Sequence, residues 1–176
     1  YSINASLVLS NIAMKRGDRA GLITFQHKPE TFIPAQKRTL QINYLLESLY
    51  KQKTEFNETD FSSLYGTIAK QIKQRSLLLL FTNFESIYSL ERQLPYLRLI
   101  NRHHLLLVIF FKNTEMDDLS KEPVNNVRDV YNKSIANQLA DEKMAIRKML
   151  HQNGILSLYT RPKSLKTDVI NKYIEI

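Results

Sequence analysis

The chain predicts an α/β fold, a three-layer sandwich with a mainly parallel, doubly wound sheet. Two observations predict it. Helical and strand patterns alternate along the 176 residues, which is the order of a sheet covered by helices. The strands are also continuous apolar runs, "LLLLF" at 77–81 and "HLLLVIFF" at 104–111. A strand that is apolar on both sides needs cover on both faces, the mark of a parallel sheet between helix layers.

The elements follow in order. Residues 2–16 place Ile3, Leu7, Val8 and Ile12 on one helical face. Lys15 and Arg16 suit the last turn and Gly17 the cap. "RAGLITF" at 19–25 predicts a short buried strand, and 30–33 a brief edge strand before Pro34. A helix is expected over 39–51, with Ile42, Leu45, Leu46 and Leu49 inward. Another spans 60–74, with Leu64, Ile68 and Ile72 at i, i+4 spacing. A strand over 76–82 precedes a helix over 86–101, which Pro95 should kink or break. The strand at 104–111 leads to a polar loop over 112–124. A helix over 125–152 is expected to break near Asn132. Gly154 ends it, 155–160 forms the last strand, and Pro162 opens a final helix reaching Ile174.

At 20.6 kDa the chain is one domain with a core of its own. Its 43% hydrophobic and 24% charged residues are ordinary for a globular protein. Without cysteine it has no disulfide, thiolate metal site or thiol nucleophile. No apolar run approaches the ~18 residues needed to span a bilayer, and the opening residues carry no signal-peptide pattern. The chain opens on Tyr1, already inside a helical pattern, and reads as a fragment of a longer protein. The net charge of +8 raises nucleic acid as a partner. The basic residues are scattered in short pairs such as Lys37-Arg38 and Arg147-Lys148, interleaved with acids, so no nucleic-acid partner is expected.

In an open parallel sheet, ligands bind beyond the carboxyl ends of the strands. Three segments end there: Phe25-Gln26-His27, Thr82-Asn83-Phe84-Glu85 and Phe111-Lys112-Asn113. The loop Asn57-Glu58-Thr59-Asp60 precedes a helix and reaches the same edge. Thr59-Asp60 reads as a helix N-cap, and also as oxygen ligands for a hard cation such as Mg²⁺. Glu85 with Asp60 could form an acid–base pair, although a helix-start role suits both better. His103 and His104 are adjacent, so in a strand they would point to opposite faces; at a strand entry they would be partly solvated. None of the four glycines forms a phosphate-cradling loop, and there is no G-x-S-x-G elbow.

The stretches "KRGDRAGLITFQHK", "NETDFSSLYGTIAKQIKQRSLLLLFTNFES", "HHLLLVIFF" and "HQNGILSLYTRPKSLKTDVINKYIEI" resemble the von Willebrand factor A-like domain of the "domain of unknown function 58" family. These are bacterial proteins associated with MoxR-type AAA+ ATPases. With the helix at 1–16 the resemblance covers nearly the whole chain, and "RGDRAGLITF" and "VINKYIEI" are its most specific pieces. It implies a metal-ion-dependent adhesion site built from an Asp-x-Ser-x-Ser loop, a threonine and an aspartate at the end of the fourth strand. Thr59 matches the threonine, Asn83 stands where the aspartate is expected, and the Asp-x-Ser-x-Ser loop would fall before Tyr1. Asn offers a neutral carbonyl oxygen in place of a carboxylate. The site is therefore expected to be degenerate, with no tight metal in this chain and weak Mg²⁺ binding in the full-length protein. The resemblance also implies that the first central strand is missing here. That would leave strand edges to be repaired by a partner chain, a homo-oligomer or a strand swap.

The function these readings support is a non-enzymatic protein–protein interaction module working with a MoxR-type AAA+ ATPase. Its binding edge would carry Asp60, Phe84, Glu85 and His27, with Phe84 either an exposed apolar contact or packed under the next helix. The alternatives are a metal-assisted hydrolase using Asp60 and Glu85, and a basic nucleic-acid-binding domain. The resemblance implies a cytoplasmic domain and leaves room for a membrane anchor elsewhere in the full-length protein.

Overall fold

A computed structural model describes residues 1–26, 28–37, 40–51, 59–114 and 126–176. His27, the Asn57-Glu58 half of the edge loop and most of the 112–124 loop lie outside the described residues. The elements are α1 (Ser2–Lys15), β1 (Ala20–Phe25), β2 (Pro29–Gln36), α2 (Gln41–Tyr50), α3 (Phe61–Gln71) and β3 (Leu77–Phe81). They continue with α4 (Ile87–His103), β4 (Leu105–Phe111), α5 (Val127–Gln152), β5 (Leu156–Thr160) and α6 (Leu165–Glu175).

The α/β class holds, and helices flank a three-stranded parallel sheet of order β3-β4-β5. The strands at 19–25 and 30–33 do not extend that sheet, as a mainly parallel sheet required. β1 and β2 form a separate antiparallel pair, in which Ile23 faces Phe32 and Thr24 faces Thr31. The short connection at 26–28 allows only a hairpin, since parallel neighbours need a crossover of a dozen or more residues. β2 is also longer than 30–33 and runs through Pro34, which an edge strand tolerates because no ladder N–H is required there. Gly21 is needed inside β1: a Cβ there would meet the β2 backbone at 2.7 Å.

β4 is the centre of the core, with Leu106 through Phe110 all buried. Phe61, Leu64 and Ile68 of α3, Leu97 and Ile100 of α4, and Ile146 and Leu150 of α5 cover one face. Ala5 and Leu9 of α1, with Leu165 and Val169 of α6, cover the other. α2 lies against α1 and the β1–β2 pair. The Gln41 side-chain amide donates to the Ala20 carbonyl at 3.0 Å and the Pro34 carbonyl at 2.9 Å, tying the helix start to both strands. At its far end α1 stops at Gly17, whose φ of 96° is costly for any residue with a Cβ. The Tyr173 hydroxyl of α6 donates to Asp18, and the Arg16 guanidinium lies 5.7 Å from the Tyr173 ring centroid.

Three helical readings change. α1 buries Ala5, Leu9 and Ala13, not the larger Ile3–Leu7–Val8–Ile12 face, and Ile3 is exposed. The small residues let α1 approach closely, so they carry the contact. α2 buries Leu45 and Leu49 as expected, but Leu46 is exposed. α4 runs continuously through Pro95, and α5 continuously past Asn132.

Candidate functional site

The carboxyl edge of the parallel sheet is fixed by backbone bonds between strand ends. The Thr82 N–H donates to the Ile109 carbonyl at 3.0 Å, and the Lys112 N–H donates to the Thr160 carbonyl at 2.9 Å. The Asp60 N–H donates to the Gln26 carbonyl at 3.4 Å, which brings the start of α3 to the end of β1. Thr59, Asn83 and Glu85 thereby meet around one open pocket of about 720 Å³, which Phe61, Tyr88 and Gln93 also line. Thr59 and Asn83 thus line the same pocket as Glu85, while Asp60, next to Thr59 in the chain, is not among its lining residues.

Asp60 is the N-cap of α3. Its carboxylate accepts from the Ser62 N–H at 2.8 Å, the Ser63 N–H at 3.3 Å and the Ser63 hydroxyl at 2.7 Å. The Ser63 hydroxyl bond, with Ser62 behind it, holds this carboxyl down to about 2. The cap reading of Thr59-Asp60 therefore describes the aspartate. Ser86 caps α4 in the same way, accepting from the Ser89 N–H at 3.2 Å.

Phe84 is not an exposed contact. It is 2% exposed and stacks on Phe61 with ring centroids 6.1 Å apart. Phe61 in turn meets Phe25 edge-on at 5.9 Å. The three rings make a bridge beneath the site, from β1 through α3 to the loop after β3. The strand runs into the core, and its first large side chain past the turn follows it there. The exposed aromatic at this edge is Tyr88, at 77%. Asn83 and Glu85, on either side of Phe84, point to solvent.

Two residues of α5 support this loop, and local sequence patterns give no signal for them. The Lys143 ammonium donates to the Phe84 carbonyl. Burial pushes its pKa down, against the opposing pull of Glu142 and Glu85. Glu142 accepts from the Ile87 N–H at 3.1 Å, an otherwise free donor in the first turn of α4. Among the described residues, no three His, Asp or Glu side chains converge as a metal-binding group. No described helix is long and apolar enough to cross a membrane.

No curated protein and no solved structure matches the chain. A family model does match it, over residues 1–155, leaving "VINKYIEI" outside the matched region. By that match the chain belongs to the family described as "Protein of unknown function DUF58".

Proposed function

We propose that this domain is a non-enzymatic, von Willebrand A-like protein-interaction module whose binding face is the carboxyl edge around Thr59, Asp60, Asn83, Glu85 and Tyr88. The observation that carries this reading is the anchored presentation of the Asn83–Glu85 loop. Phe84 is held beneath by Phe61 and Lys143, while Asn83 and Glu85 face outward beside an exposed tyrosine. A loop whose backbone is already held beside one exposed aromatic suits a protein contact, because little backbone order is lost on binding. A MoxR-type AAA+ ATPase is the proposed partner, in keeping with the family. Thr59 and Asn83 form a degenerate cation site that binds Mg²⁺ weakly at most, since neither brings a negative charge.

A hydrolase at this edge is less well supported. A general base works best with a pKa near the operating pH, and Asp60 is held at about 2 by its capping bonds. The joint change Glu85→Ala and Tyr88→Ala should weaken binding to the ATPase by about tenfold or more, with unfolding unchanged. Undiminished capture of the ATPase would move the interface to another face. A micromolar Mg²⁺ site in a calorimetric titration would overturn the degenerate-site reading.

A further inference from the structure

Basic side chains that are scattered in the sequence collect at the end of the molecule opposite the candidate site, where the parallel strands begin. Lys15 and Arg16 close α1, and Arg19 stands just before β1. Lys73 and Arg75 lie between α3 and β3, and Arg102 sits in the last turn of α4, just before β4. The Ala20–Gln36 pairing puts Lys37 beside Arg19, with its ammonium over Gly17. Arg19 and Lys73 line one cavity. The Leu105 N–H donates to the Ser76 carbonyl at 2.9 Å, which joins the turns that carry Arg102 and Arg75. All seven side chains are exposed. α1 belongs to one helix layer and α3 and α4 to the other, so the cations span all three layers of this end.

Their surroundings leave this charge uncompensated. The acids described at this end are Asp18, which accepts from the Tyr173 hydroxyl, and Glu175, which pairs with Lys172 at 3.0 Å. Among the described residues, none of the seven cations is in an ion pair. Helix ends account for some of them. Lys15 and Arg102 sit in last turns, where the dipole favours cations, and the Lys73 ammonium donates to the Ala69 carbonyl at 2.9 Å. Arg19 and Arg75 stand beyond the last turns of α1 and α3, out of that dipole's reach. Neighbouring strands lie about 5 Å apart, inside the Debye length of about 8 Å at physiological salt. The cations at their starts therefore repel one another, and an outside anionic surface relieves that repulsion. Exposed apolar side chains lie among the cations: Leu40 at the start of α2, Leu99 one turn from Arg102, and Ile174 next to Tyr173. A phosphodiester backbone gains little from them, whereas an interfacial lipid contact combines apolar burial with attraction to anionic headgroups. We propose that this end of the domain docks on an anionic lipid surface. The carboxyl edge then faces away from the membrane, and the lipid contact is independent of what that edge binds.

Cosedimentation with vesicles tests this. The chain should bind phosphatidylcholine vesicles containing about one-third phosphatidylserine at least about tenfold more tightly than pure phosphatidylcholine. Raising the salt from about 50 to about 300 mM should release it. Joint replacement by Arg19→Gln, Lys73→Gln, Arg75→Gln and Arg102→Gln should weaken the binding at least about tenfold. Lys28→Gln, Arg128→Gln, Lys163→Gln and Lys166→Gln together remove the same charge from exposed positions at the opposite end, and should leave binding within about twofold. Arg19→Gln with Arg75→Gln leaves every helix end intact and should alone cost about fivefold or more, so the outcome does not hang on the fold of the fourfold variant. Three results would overturn the proposal. Equal binding to the two kinds of vesicle would remove the headgroup charge as the ligand. Equal losses in the two fourfold variants would reduce the contact to net charge. Tighter binding to a DNA duplex of random sequence at the same salt, lost in the first variant, would make a nucleic acid the partner of this end.

Discussion

Phe84 shows how one side chain sets the shape of the candidate site. Its ring stacks on Phe61 and its carbonyl accepts from Lys143. Replacing it with Ala removes a fully buried aromatic and should cost about 3–5 kcal/mol of stability. A urea titration checks this, and a loss near 1 kcal/mol would mean that the loop collapses onto the space. His104 is the second informative residue. It is 4% exposed, its Nδ1 is buried without a partner, and burial with His103 beside it lowers its pKa from 6.5. The unfolded chain then binds this proton more readily than the folded one. His104 therefore adds stability above pH 6.5 that is lost as the pH falls toward the lowered folded value. The difference in unfolding free energy between pH 7.5 and pH 5 should shrink in His104→Gln, and an unchanged difference would exclude His104 as its source. Adjacent histidines at a strand entry suggest two solvated rings. Only His103 is exposed, because α4 extends to it and hands His104 to the core.

Among the elements, those with one dominant requirement were legible in the sequence. β4 had to be buried on both faces, and Leu106 through Phe110 are. The start of α3 carried its cap in Asp60. Elements decided by their neighbours were not legible. The face of α1 follows how closely it packs, which favours Ala5 and Ala13 over larger residues. α4 keeps Pro95 because its other turns are held by Leu90, Leu97 and Ile100, all fully buried. The candidate site divides in the same way. Thr59, Asp60, Asn83 and Glu85 follow from the strand-end rule, whereas Lys143 and Glu142 arrive from more than 50 residues away. The Ser86 cap sits where α4 meets this site. Ser86→Ala should cost about 1 kcal/mol, readable as a lower urea midpoint with an unchanged slope. A larger loss would show that the Asn83–Glu85 loop unravels with the cap.

At the scale of the whole molecule, two sheets share one set of helices without sharing a hydrogen-bonded ladder. The three-stranded sheet holds β4 at its centre, while in β1 only Ala20 is buried. A two-stranded hairpin is marginal by itself. Here it depends on α2 through Gln41, on α1, and on the Phe25–Phe61–Phe84 bridge. Those attachments are side-chain contacts, which break piecemeal, whereas opening β4 disrupts ladders on both its sides. Amide exchange should therefore resolve two levels of opening. The amides of Leu107 through Phe110 should exchange only by global unfolding, with a free energy that tracks the urea value. Those of Leu22 through Thr24 should exchange faster and with a weaker dependence on urea. Equal rates and equal urea dependence in the two groups would mean that the helices couple the sheets into one cooperative unit.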